Sequence, residues 1–190
     1  GSQLSSIKSF AFDNAAQLSS IEILSSNGNT IGLPSTLTSI GHKAFRKTKL
    51  GISLSLASVI EIGEGAFEGI TGTSFAVTGL TSLRILGSEA FKNSTLKSLD
   101  LSKVTSLTYL PANCFTGTQI QEVTTQATTK GVRLPSNISD ISNAFQGATS
   151  LTTVTLDSAI KNISASAFDG CTSLATVNLQ SSNITNIPSS

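Results

Sequence analysis

A phenylalanine that returns in a fixed frame restricts this chain more than any other feature. Seven of the nine Phe residues follow Ala or Cys in that frame: Ala11-Phe12, Ala44-Phe45, Ala66-Phe67, Ala90-Phe91, Cys114-Phe115, Ala144-Phe145 and Ala167-Phe168. Successive copies lie 33, 22, 24, 24, 30 and 23 residues apart. A unit this short cannot bury an apolar face alone, so copies must stack, each strand on the next and each Phe on its neighbours. Phe12, Phe45, Phe67, Phe91, Phe115, Phe145 and Phe168 are therefore the expected spine.

The rest of the frame follows the Phe. Five residues before it stands an aliphatic side chain (Ile7, Ile40, Ile62, Leu86, Leu110, Ile163), and three before that another (Leu4, Leu37, Val59, Leu83, Leu107, Ile160). After it comes a strand-like unit: Leu18-x-x-Ile21-x-Ile23, Leu96-x-x-Leu99-x-Leu101, Ile120-x-x-Val123, Leu151-x-x-Val154-x-Leu156 and Leu174-x-x-Val177-x-Leu179. Its end alternates as a half-buried strand does. The copy at 72–77 keeps Phe75 and Val77. In the copy after Phe45, Leu50, Ile52, Leu54 and Leu56 fit only with a slip of one or two residues, and the register stays open. Two residues after the Phe the column reads Asn14, Lys47, Gly69, Asn93, Gly117, Gly147 and Gly170. Apart from Lys47, these residue types accept a positive φ, so the column predicts a tight turn.

Two copies run long, at Ser25 to Thr30 and at about Gln126 to Gly131, each followed by Leu-Pro (Leu33-Pro34, Leu134-Pro135). These are expected as loops on one rim, where repeat proteins place binding loops; neutral drift gives the same pattern. Gly1-Ser2 reads as an expression scar, leaving residues 3–190 as a single repeat domain of about seven copies, cut mid-repeat at both ends.

Composition narrows the function. The 190 residues are 38% hydrophobic and 12% charged with a net charge of +1, against a charged share of about 25% in ordinary domains. There is core enough to fold, and no global field to draw in nucleic acid or an anionic membrane. No apolar run approaches the roughly 18 residues of a spanning helix, so neither nucleic acid nor membrane insertion is expected.

Assembled, the unit reads apolar-x-x-apolar-x-x-x-Ala-Phe-x-Gly/Asn-small-x-x-Leu-x-x-apolar-x-apolar. It resembles the BspA-like leucine-rich repeat of bacterial surface proteins, most closely over Ile163 to Val177. Gly after the central aliphatic residue stands only at Gly41, Gly63 and Gly87, and the family's Cys only at Cys171. The resemblance implies a right-handed, β-dominated leucine-rich-repeat solenoid, with a parallel sheet on one face and short strands, turns or 3-10 segments on the other. It also implies secretion or surface display and adhesion to host proteins or other cells.

Catalytic chemistry has little to draw on. His42 is the one histidine, which leaves metal clusters and His-based triads without partners. No catalytic residue, metal or cofactor is expected. Cys114 and Cys171 fall in different columns two repeats apart, beyond disulfide reach, and read as buried free thiols. The basic stretch His42, Lys43, Arg46, Lys47 and Lys49 could take an anion. The frame offers a plainer account, since Asp13, Arg46, Glu68 and Lys92 alternate in sign and His42 stacks beside Glu64. The sequons at Asn93, Asn137, Asn162 and Asn183 are no more than a hydroxyl-rich sequence gives by chance.

The expected binding surface is the row between the last two apolar strand positions: Glu22, Ala76, Asp100, Thr124, Thr155 and Asn178. The row is polar and lacks aromatics, which suits weak multivalent contact better than a tight hot spot. Tyr109 lies outside it and reads as a surface aromatic. The expectation is a non-enzymatic module binding an extracellular protein or glycan, with end-to-end self-association allowed by the cut ends. The alternative is a passive spacer holding another domain away from the cell.

Overall fold

The computed structural model describes residues 4–24, 30–31, 33–179, 184 and 187. Gly1-Ser2, most of the first long insertion and Asn183 lie outside them. Thirteen short strands follow one another: β1 (Ser6–Ile7), β2 (Ile23–Leu24), β3 (Thr30–Ile31), β4 (Ser39–Ile40), β5 (Ser53–Ser55), β6 (Glu61–Ile62), β7 (Ala76–Thr78), β8 (Ile85–Leu86), β9 (Leu99–Asp100), β10 (Glu122–Thr124), β11 (Gly131–Arg133), β12 (Thr153–Leu156) and β13 (Thr176–Leu179). No helix occurs among the described residues.

Every coil contributes a strand after its Phe, and the coils of Phe12, Phe45, Phe67 and Phe91 contribute one before it as well. Those before pair in parallel in the order β1-β4-β6-β8, forming a minor sheet of two-residue strands. Those after form the main face, a parallel five-stranded sheet in the order β13-β12-β10-β11-β9, with β5 and β7 as a separate parallel pair. Ser53 pairs with Ala76 and Leu54 with Val77, which fixes the register of the copy after Phe45.

Between the sheets the Phe rings stack along the chain's whole described length. Neighbouring centroids from Phe12 to Phe168 are 5.2–6.1 Å apart with interplanar angles of 2–17°. Coils repeat at about 4.8 Å, so these wider spacings mean offset rather than face-to-face rings, the arrangement the ring quadrupole favours. Phe45, Phe67, Phe91, Phe115 and Phe145 are wholly buried, while Phe12 at one end is 37% exposed. Full burial of one such side chain stabilises by about 1.5–3 kcal/mol.

Two turns frame every ring. The column two residues after the Phe is left-handed throughout, with Lys47 adopting φ 55° like its Asn and Gly counterparts. A second left-handed column falls two residues before it, at Phe10, Lys43, Gly65, Glu89, Asn113 and Ser166, and three before it at Ser142 in the Phe145 coil. Its mixed residue types hide it from sequence reading. Behind the first turn, the hydroxyls of Thr48 and Thr118 donate to the Phe45 and Phe115 carbonyls at 2.9 and 2.8 Å, and the Cys171 thiol donates to the Phe145 carbonyl at 3.1 Å.

Backbone contact explains the glycines of the minor sheet. Gly41, Gly63 and Gly87 donate to the carbonyls of Ile7, Ile40 and Ile62, each at 2.8 Å. A Cβ at these positions would lie 2.4 Å from Ser9 N, 2.6 Å from His42 N and 2.3 Å from Glu64 N, too close for any side chain. The next residue in this column is Pro111, which has no N–H to donate. The ladder ends at β8 there and resumes as bridges joining Tyr109, Asp140 and Asn162. In the next coil, that of Phe145, the core aliphatic residue is Ile141, four residues before the Phe rather than five.

The second long insertion is more than a rim loop, and the first falls largely outside the described residues. The first lies between β2 and β3, which pair antiparallel. The second returns the chain into the main sheet: β11 sits between β9 and β10, parallel to both. Gly131 makes this possible, because a Cβ there would lie 1.9 Å from the Glu122 carbonyl oxygen.

Candidate functional site

On the main face, the ladders place Asp100 beside Arg133, Arg133 beside Thr124, and Thr155 beside Asn178. Val123 pairs with Val154, which brings Thr124 next to Thr155. The expected row thus exists over these strands, with two corrections. Arg133, brought in by β11, interrupts it; its guanidinium lies 3.5 Å from the Asp100 carboxylate. The Val132-x-Leu134 alternation was the signal that could have found this strand. Thr124 is 9% exposed rather than outward-facing, because its own loop covers it and the Gln126 N–H donates to its hydroxyl at 3.0 Å. Ala76 and Thr155 are half-buried, and Asp100 and Asn178 exposed. Glu22 is exposed beside β2, and no ladder among the described residues joins β2 to β5. Burial pushes the Asp100 carboxyl up, but hydrogen bonding from Ser102 and the charge of Arg133 outweigh it, leaving the group below its ordinary value.

The minor sheet presents a different outward face. Ile60, Ile85 and Tyr109 are 38%, 53% and 58% exposed. The other exposed large hydrophobic residues, Leu4, Phe10, Phe12, Val177, Leu179 and Ile187, belong to the first and last coils. Ile85 pairs with Glu61, and the Arg84 and Ile85 N–H groups both donate to the Ile60 carbonyl, at 2.8 and 3.1 Å. Tyr109 holds Ile85's position in the following coil, six residues before its Phe. Polar residues occupy the equivalent positions on either side, Ser39 and Glu61 before Ile85 and Asp140 and Asn162 after Tyr109.

Charges elsewhere are arranged as support. Arg46 grips Asp13 with two bonds, at 2.7 and 2.8 Å, and this hydrogen bonding holds the Asp13 carboxyl below its ordinary range. His42 lies 4.0 Å from the Glu64 carboxylate and meets the Phe10 ring edge-on at 4.9 Å. The expected alternation breaks at Lys92, which pairs at 2.7 Å with Glu89 of its own coil instead of with Glu68. Cys114 and Cys171 are buried and free, and burial pushes both thiols up. The Asn137 amide nitrogen donates to the Thr105 carbonyl at 3.0 Å and to that of Leu107, a structural role. No group of three or more His, Cys, Asp or Glu among the described residues could hold a metal. No helix long and apolar enough to cross a membrane occurs among the described residues.

The sequence matches the BspA type leucine rich repeat region over residues 1–32, 24–133 and 126–190, with six copies. Among solved structures, it is similar to a leucine rich cell surface protein from Faecalibacterium prausnitzii A2-165, with 20% identity over 83% of this chain and a TM-score of 0.55. The chain spans about half of that protein, 51% of its length. It is also similar to a leucine-rich repeat protein from Eubacterium ventriosum ATCC 27560, with 15% identity, 99% of this chain and 77% of that one covered, and a TM-score of 0.31. No curated protein matches it.

Proposed function

Since the chain belongs to the BspA type leucine-rich repeat family, we propose that it is a non-enzymatic recognition module of a secreted or surface-displayed protein, and that its partner is an extracellular protein. The observation that carries this reading is the exposure of Ile60, Ile85 and Tyr109 along the minor-sheet side of three successive coils. Among the described residues, these are the exposed large hydrophobic side chains outside the first and last described coils. Exposed apolar groups gathered on one face mark interaction surfaces, and Tyr and Arg, here Tyr109 with Arg84, supply most hot spots. The polar row of the main face, from Asp100 to Asn178, adds weak contacts spread over several coils. The surface setting is supported by the family and by the printed name of its Faecalibacterium neighbour.

The test is a binding screen of the purified chain against immobilised extracellular-matrix and plasma proteins. Each captured protein is then measured against the double variants Ile85→Ser/Tyr109→Ser and Asp100→Lys/Thr155→Lys. The first pair should lower affinity by about tenfold or more, since truncating a hot-spot residue costs about 2 kcal/mol or more. The second should have the smaller effect. If no protein is captured, or neither pair changes capture, the chain is a spacer.

A further inference from the structure

The inserted loop before β11 builds a polar groove on the flank of the main sheet. It has a volume of about 420 Å³ and is lined by Lys97, Gln119, Gln121, Thr129, Lys130 and Ser150. Lys97 comes from the coil of Phe91, the glutamines from that of Phe115 and Ser150 from that of Phe145, so the floor spans roughly two strand spacings, about 10 Å. The loop is pinned over it. Gln121 N–H donates to the Lys130 carbonyl at 2.8 Å, Lys130 N–H to the Thr128 hydroxyl at 3.2 Å, and that hydroxyl to the Glu122 carboxylate at 2.5 Å. Glu122 is thereby engaged in the adjoining hollow and is not part of the lining. Among the described residues neither Lys97 nor Lys130 has a carboxylate within ion-pair distance.

We propose that this groove binds an acidic saccharide. Its size is that of small-ligand sites. Two ammonium groups provide for the anionic group, and two carboxamides with two hydroxyls, each both donor and acceptor, suit the hydroxyls of a sugar. The absence of aromatic or aliphatic lining disfavours an apolar ligand. The groove lies apart from Ile85 and Tyr109, so its failure would leave the protein-binding reading standing.

The experiment titrates isotopically labelled chain with oligosaccharides of equal length from hyaluronan, from heparin and from chitin, followed by NMR. The expected result is movement of the Gln119 and Gln121 side-chain amide signals and the Thr129 and Lys130 backbone signals with an anionic oligosaccharide, but not with the neutral one. A response to hyaluronan assigns the recognised group as a carboxylate; a response to heparin alone assigns it as a sulfate. Lys97→Gln and Lys130→Gln should each weaken binding about 10-fold or more, as loss of a charge-assisted hydrogen bond does. Lys103→Gln and Lys161→Gln should leave it unchanged. The proposal is overturned by no response to either acid, an equal response to the neutral chain, equal weakening by Lys103→Gln, or heparin shifts confined to Lys43, Lys47 and Lys49.

Discussion

Phe91 has a ring on each side, Phe67 at 5.5 Å and Phe115 at 5.9 Å, and no exposure to water. Phe91→Ala removes contacts on both faces and should cost about 3–5 kcal/mol, whereas Thr155→Ala, half-buried on the sheet, should stay within about 0.5 kcal/mol. Urea midpoints of the two variants check this. Lys47 holds a left-handed conformation at φ 55°, where a Cβ is strained. Lys47→Gly should raise stability by about 0.5–1 kcal/mol in the same titration. The Asp13 carboxyl titrates lower in the folded chain than in the unfolded one, because Arg46 hydrogen-bonds its charged form. Its contribution is therefore present above the unfolded carboxylate value near pH 4 and is lost as pH falls through the lower folded value. Asp13→Asn should accordingly be less stable than the parent at neutral pH. Acid unfolding curves of the two should converge well below pH 4.

At the scale of elements, the unit repeated in the sequence and the unit repeated in space coincide. The aliphatic positions, the Phe and the turn after it were legible because each recurs at the same offset and each is dictated by burial or by φ. The insertions were not legible. Their polar residues carry no period, and whether a chain pairs antiparallel, as β2 with β3, or returns in parallel, as β11, depends on contacts made far along the sequence. Gly131 is the visible trace of that outcome. Gly131→Ala should force β11 off the Glu122 carbonyl, costing about 1–3 kcal/mol and raising amide exchange at Val132 and Arg133. If exchange there matches the parent, β11 does not need the close approach.

For the whole molecule, stability is spread along a stack in which each coil touches only its neighbours. Amides of β10 and β12, paired on both sides, should exchange most slowly, and those of β13, exposed throughout, among the fastest. A hydrogen-exchange profile that is flat along the chain would contradict this. The candidate surfaces were less legible than the stack. Asp100, Thr155 and Asn178 follow from alternation alone, whereas the covering of Thr124 and the arrival of Arg133 follow from the insertion. From the Phe91 coil to the Phe145 coil, the main sheet lays down four strands, β9, β11, β10 and β12, while the spine lays down three rings. One side of the array thus carries one strand more than the other over that stretch, about 4.8 Å of extra width, as a keystone is broader at one edge, and the loop that delivers the extra strand is the one that lines the lysine-bearing hollow.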